Sequence, residues 1–270
     1  MKKSNFLLII GILIIHMLIP SCKTVPFSGR NQLTLLPESM LVGMSLDSYN
    51  EFISTHNLSS NQVQAGMVRD VGNRIASSVE DYLKNNGMES RISQFQWEFS
   101  LVEEDAVNAW AMPGGKIVFY TGILPVTQNA DGMAVVMGHE IAHVVARHGN
   151  ERMSQQLLVQ TGGVALATAM RDSPQETRNL LLASYGVGTA VGMILPYSRA
   201  HEREADRMGM IFMAMAGYNP REAVAFWERM DKMADSSAPP QFLSTHPSSA
   251  ERIREMRSFL PEAMKYYRAR

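Results

Sequence analysis

The chain has one cysteine, Cys22, so no internal disulfide can staple it and its core must hold by packing alone. It also lacks an excess of either charge: 25 Lys and Arg stand against 26 Asp and Glu, for a net charge of −1. That balance removes the electrostatic footprint of a nucleic-acid binder, and no nucleic-acid partner is expected. Internal repeats are absent. Beyond the first twenty residues, no apolar run reaches the roughly 18–20 residues a membrane span needs. What is plentiful is methionine, 20 residues, read as adaptable core filling.

The start of the chain reads as a leader. Lys2 and Lys3 precede an apolar run over 6–20, which ends Ile19-Pro20-Ser21-Cys22. A basic n-region followed by a short h-region reads as a signal peptide, with an uncleaved N-terminal anchor helix and an incidental cysteine as the alternative. The last four residues resemble a lipoprotein box in which Cys22 is lipidated. The expected organisation is therefore a signal peptide at 1–21, a polar lipidated tether at 22–36, and one domain at 37–270.

Periodicity places the elements. Helices are predicted at 37–56 and 61–86, the second with Val68, Val71, Ile75, Val79 and Tyr82 at helical spacing and a stop at Asn85-Asn86-Gly87. The period then changes to two: Phe95, Trp97, Phe99 and Leu101 alternate with polar residues. Further extended pieces at 107–112 and 116–120 flank Pro113-Gly114-Gly115. From 130 onward the chain reads as helix. One helix spans 131–148 and breaks at Gly149-Asn150; the next spans 151–171. Ser173, Pro174 and Glu176 open a helix that stops at Pro196. Ser198 caps one that ends at Gly217, Asn219 caps one to Met233, and Ser248 with Glu251 caps the last. The fold class is α+β, mostly α. The stretches 157–170 and 180–195 are apolar and glycine-bearing; the expected reading is a closely packed, buried helix pair, with membrane contact as the alternative.

The chemistry lies in His139-Glu140-Ile141-Ala142-His143. Histidines four apart on a helix share a face and can hold zinc, with Glu140 placed as general base. Hydrolytic zinc sites use a third protein ligand. The HExxHxxGxxH pattern fails, because Ala146 and Gly149 stand where its glycine and histidine would be. His148 lies on the opposite face and reads as a solvated or C-terminal helix histidine interacting with the helix dipole. Glu202 and Asp206, also four apart, offer a carboxylate ligand and an acceptor for a ligating histidine's free N–H. Alone this pair reads as a solvated charged face; beside HExxH it reads as the rest of the centre.

Several strings together resemble the HtpX, BepA and CaaX-prenyl-protease group of zinc peptidases, metallopeptidase family forty-eight of the gluzincin type. They are Asn108-Ala109, 113–117, 122–124, 139–143 and 198–206, the last carrying an ExxxD element. The resemblance implies a gluzincin-type domain with a small β-sheet beside the HExxH helix. It implies one zinc ion held by His139, His143 and Glu202, with Glu140 as base. It further matches His246-Pro247 and Arg252, which implies support of an oxyanion, or His246 as a fourth ligand that holds the enzyme inactive. The strand Asn108, Ala109, Trp110, Ala111 is implied to pair with extended substrate. The expected function is a zinc metalloendopeptidase of the bacterial envelope, a periplasmic lipoprotein held at the outer membrane through lipid on Cys22. Its expected partners are misfolded or misassembled envelope proteins. Two alternatives remain: an assembly factor or chaperone for outer-membrane proteins with proteolysis repressed, and a structural zinc domain with four closed ligands.

Overall fold

The computed structural model describes residues 22–171, 173–190, 194–234 and 239–268. The leader expected at 1–21 lies outside them. The chain forms two compact units: residues 22–37 with Arg147–Arg199, and Glu38–Ala146 with Ala200–Arg270.

The second unit carries the sheet and the HExxH helix. Strands β3 (Glu98–Val102), β4 (Ala109–Met112) and β5 (Lys116–Tyr120) lie in the order β3-β5-β4. β3 runs parallel to β5, and β4 runs antiparallel to it at an edge. β5 is central, and Ile117, Val118 and Phe119 are all buried because both faces of the sheet are covered. Helix α1 (Glu38–Thr55) covers one face: Tyr49 packs with Val102 and Val118, and Phe52 with Trp110 and Tyr120. Helix α2 (Gln62–Asn85), capped by the Asn61 side chain on Gln64 N, covers the other with Val68, Val71, Ile75, Val79 and Leu83. The expected stripe ends on Leu83 rather than Tyr82. Gly72 admits the ring of Phe99, which lies 2.4 Å from where a Cβ would stand.

Helix α3 (Ala130–Val145) carries the motif and is capped by Asn129 on Gly132 N. It ends earlier than its glycine suggested. Arg147 adopts a left-handed φ of 55°, and helix α4 (His148–Ala169) begins at the next residue with Gly149 and Asn150 helical. His148 is accordingly buried in the first turn of α4, neither solvated nor C-terminal. Helix α6 (Leu195–Met215) also differs from expectation, because Pro196 starts it instead of stopping the preceding one. In the first helical turn no intrahelical N–H bond is lost to proline. Ser198 is thus within a helix. Helix α7 (Glu222–Ala234) follows, and helix α8 (Ala250–Ala263) is capped by Ser249 on Arg252 N; Ser248 instead donates to Asp231. Met133, Met137, Met208, Met210, Met213, Met230 and Met256 are buried as core filling requires, whereas Met40, Met44, Met67 and Met153 are exposed.

Two glycines set the approach of α3 to α6. A Cβ on Gly209 would lie 2.9 Å from the backbone N of His139, and one on Gly138 would lie 2.7 Å from the carbonyl of Gly209. Backbone cannot swing aside as a side chain can. Gly209→Ala is expected to cost about 1–3 kcal/mol by overpacking. It would also part His139 from Glu202, so a lower thermal midpoint should accompany weaker metal retention.

The first unit corrects two expectations. The segment 22–36 is no loose tether. Strands β1 (Cys22–Thr24) and β2 (Asn31–Leu33) form a hairpin, with Val25 buried. Arg30 forms a bidentate pair with Glu151, at 2.9 and 2.8 Å, and Leu35 N donates to Ser154. The geometry matches a planar guanidinium to a carboxylate and docks the segment on α4. The second correction concerns the stretches 157–170 on α4 and 180–190 through α5 (Gln175–Thr189), none of whose residues is buried, whereas the start of α4 is; 191–193 lie outside the described residues. Pro174 precedes α5 with no side-chain cap from Ser173, and no residue of α5 is buried.

Candidate metal centre

Two helices and one turn bring the site together. His139 and His143 project from one face of α3, and Glu202 from α6 faces them. Ala146 and Gly149 have no side-chain donor to offer, so the third ligand comes from α6 rather than from the chain just after His143. His246 closes the site from the C-cap of the turn Phe242–Thr245, whose Phe242 N donates to Val107 O at 2.9 Å.

The donor atoms converge. His139 Nε2 lies 3.0 Å from His143 Nε2, 3.1 Å from His246 Nδ1 and 3.3 Å from Glu202 Oε2. Glu202 Oε1 is 3.4 Å from His143 Nε2, and Glu202 Oε2 is 3.0 Å from His246 Nδ1. One ligand atom from each of the four residues lies within 4.8 Å of every other. Protons cannot satisfy this arrangement, because one ring nitrogen cannot donate along three directions. A single cation can. Donors in a tetrahedral zinc site stand about 3.3 Å apart at ordinary Zn–N lengths, close to the spacings seen here. Among the described residues, Glu202 Oε1 and Glu140 Oε1 are buried without a hydrogen-bond partner, an arrangement costly unless an ion or water completes it. The residues present therefore fit zinc.

The supporting groups fix the tautomers and charges. Asp206 Oδ1 sits 3.1 Å from His139 Nδ1. A carboxylate only accepts, so Nδ1 donates and Nε2 turns its lone pair to the centre. Arg252 clamps Asp206 with Nε at 2.5 Å and Nη2 at 2.8 Å, reaches Glu202 at 3.2 Å, and donates from Nη1 to Pro247 O at 2.9 Å. Its guanidinium lies 3.9 Å over the ring of Trp227. Burial resists ionising Asp206, but Arg252 and His139 outweigh it and hold the carboxyl below its usual range. Burial likewise opposes a charge on His139, yet Asp206 and Glu202 raise its pKa to about 9; a metal ion at the centre would take the place of the second ring proton, on Nε2. Glu202 is held well below the usual carboxylate range against its burial, through His246, His139 and His143. Glu140 goes the other way: burial pushes its carboxyl up despite His246 and His139.

The structure brings His139, Glu140, His143, Glu202, Asp206, His246 and Arg252 into one buried cluster. It gives Arg252 a different task from the oxyanion support expected of it. Its nitrogens are engaged by Asp206, Glu202 and Pro247, so it acts through the carboxylates. Asn108, Ala109, Trp110 and Ala111 lie at the sheet edge, where β4 packs on α3 and Ala111 N–H donates to Glu140. Trp227 and Phe242 are functional neighbours that sequence reasoning misses. Trp227 sits beside Phe226 and three before Met230 in an apolar stripe that reads as ordinary core, and nothing local marks it as an arginine platform.

A His-His-Glu donor set with a glutamate next to the first histidine defines a metallopeptidase of the gluzincin type. Residues 71–260 match the family model described as Peptidase family M48, and the chain belongs to that family. It is 34% identical over 250 residues to the mitochondrial metalloendopeptidase OMA1 of Schizosaccharomyces pombe, covering 88% of this chain and 66% of that protein. The human mitochondrial metalloendopeptidase OMA1 is 27% identical over 263 residues, covering 94% and 49%. The β-barrel assembly-enhancing protease of Escherichia coli is 32% identical over 167 residues, covering 60% and 34%. The chain thus spans between about a third and two thirds of the length of these relatives. The expected placement as a bacterial periplasmic lipoprotein at the outer membrane is corrected by these matches, since relatives from fungi, plants and animals are mitochondrial enzymes. The lipid expected on Cys22 belonged to that placement and is not carried forward.

Proposed function

We propose that this chain is a zinc metalloendopeptidase that cleaves misfolded or misassembled proteins. The observation that carries the reading is Glu140: a buried carboxylate beside the donor cluster, held on one side by Ala111 N–H, with Oε1 lacking a hydrogen-bond partner among the described residues. Zinc, when bound by His139, His143 and Glu202, supplies Lewis acidity that activates water and polarises the scissile carbonyl. Glu140 takes the proton on Oε1, which has no hydrogen-bond partner among the described residues and lies 3.4 Å from His246 Nε2, and returns it to the leaving amine; burial raises its basicity toward that task. Asp206 holds His139 in the tautomer that faces the centre, and Arg252 holds Asp206. The edge strand β4 pairs with extended backbone, a nearly sequence-blind contact suited to unfolded chains. The N–H of Ala111 is engaged by Glu140 and that of Ala109 by Asn108 Oδ1 at 3.0 Å, so a substrate would have to displace these donors or use the strand's carbonyls.

Reduced, unfolded casein incubated with the zinc-loaded protein should give new N-termini by mass spectrometry. A chelator should stop their formation, and added zinc should restore it. Absence of metal-dependent cleavage in both the purified protein and its His246→Ala variant would sink the reading.

A second reading concerns control, and His246 Nδ1 supports it by standing among the donors at 3.0 and 3.1 Å. A fourth protein ligand leaves no open position, so proteolysis is repressed until the Phe242–Thr245 turn moves. His246→Ala should then raise basal casein cleavage several-fold. A fall in cleavage, with metal content unchanged, would instead assign His246 to catalysis.

A further inference from the structure

Helix α2 presents more than its buried stripe. Its residues Val63, Gly66, Met67, Asp70, Val71 and Arg74 line a cleft of about 440 Å³ together with Ala130 and Tyr218. Val63 is 77% exposed and Met67 39%, although both are apolar. The offsets of these residues are informative. Four helix positions at i, i+3, i+4 and i+7 frame the hole that receives one side chain of a second helix. Val63, Gly66, Met67 and Asp70 form one such set, and Met67, Asp70, Val71 and Arg74 form the next. Gly66 keeps the first hole open, because nothing lies within 4 Å of where its Cβ would stand.

The polar groups of the cleft are unclaimed. Asp70 and Arg74 stand four apart with the acid first, the order that favours an ion pair along a helix. Neither side chain has an ion pair or hydrogen bond among the described residues. Tyr218 is only 7% exposed, and its hydroxyl has no partner among them either. A phenol so enclosed normally has one. These features select the occupant. A ligand of one charge sign would be drawn to Asp70 or Arg74 and repelled by the other, one helical turn away. A second copy of this chain fits no better. Two α2 helices paired antiparallel, so that Asp70 meets Arg74 in both directions, would set Val63 against Asp81 and Met67 against Ser77. Paired parallel in register, Asp70 would face Asp70. A helix of another protein meets every demand at once, with apolar knobs, a base and an acid.

We propose that this cleft is the docking site for an amphipathic helix of a protein partner. Two apolar side chains, three or four residues apart, enter the two holes; a lysine or arginine meets Asp70, and an acid meets Arg74. None of the cleft residues belongs to the metal centre, so this inference does not depend on the peptidase reading.

The probe is a displayed library of helical peptides randomised on one face, selected for binding to the zinc-loaded full chain. Selected peptides should carry two apolar residues three or four apart, flanked by one base and one acid. Gly66→Leu fills the first hole and should weaken their binding about tenfold or more. The same change should raise the thermal midpoint, because leucine favours a helix over glycine and the Cβ has open space. A misfolded variant would do the reverse. A charge-swapped chain, Asp70→Arg with Arg74→Asp, should lose the same peptides and bind those in which base and acid have exchanged places. Casein cleavage should be unchanged in both variants. A library that yields no binder overturns the proposal, as do binders without the charge pair or binders indifferent to Gly66→Leu. So does a dimer in sedimentation that Gly66→Leu dissociates, which would make a second copy the occupant.

Discussion

Glu140→Gln is expected to lower casein cleavage by about 10²–10⁴-fold, the contribution of a positioned general base, while leaving zinc content unchanged. Glutamine keeps the shape of the side chain and an oxygen that can still accept from Ala111 N–H. It loses the ability to take a proton at Oε1, the oxygen without a hydrogen-bond partner among the described residues. Glu140 is not among the four converging donor residues, so the ion should stay. Stability should hold or rise slightly, since burial already disfavours the charge on Glu140 and the substitution removes it. The check is paired: metal by elemental analysis and cleavage by appearance of peptides. A variant that holds zinc and cleaves within tenfold of the parent would remove Glu140 from the mechanism. A variant that loses zinc would show Glu140 to be structural.

The centre was legible because helical spacing is a rigid rule. His139 and His143, and separately Glu202 and Asp206, each lie four apart, and the helices set each pair on one face as that spacing requires. What joins the pairs was not legible. The close approach of α3 and α6 depends on Gly138 and Gly209 meeting backbone to backbone, and a glycine within a helix carries no sign of what passes beside it. The sheet was read from its alternation, yet its order, with β5 between β3 and β4, is a long-range fact. The boundaries that failed did so at residues with two readings. Pro196 can end one helix or begin the next. Gly149 can break a helix, but Arg147 took the left-handed conformation first. The segment 22–36 looked like a tether because its partners, Glu151 and Ser154, lie more than a hundred residues away. The α4–α5 hairpin was expected to be buried because apolar residues usually are, and composition cannot say against what.

Arg252→Ala should produce the largest loss of stability. It would leave the Asp206 and Glu202 carboxylates, both buried, without the guanidinium that binds the first through two nitrogens and reaches the second. Removing one partner of a buried ion pair costs about 3–5 kcal/mol, because the stranded charge has no water to return to. For a chain of this size that is a fall of about 6–20 °C in thermal midpoint. Trp227 loses its stacked cation as well. His139 would lose the fixed orientation of its acceptor, so zinc affinity should fall about 10–100-fold. Acid titration separates this pair from a general packing defect. The Asp206 carboxyl is depressed in the folded state, so its contribution is present above its unfolded value of about 3.9 and is lost as pH falls through the folded value. Asp206→Asn, which cannot titrate, should flatten that acid limb, and the double variant Arg252→Ala with Asp206→Asn should be less unstable than the sum of the two changes. Additive losses in the double variant would mean that Arg252 and Asp206 act independently, and the clamp on His139 would have to come from elsewhere.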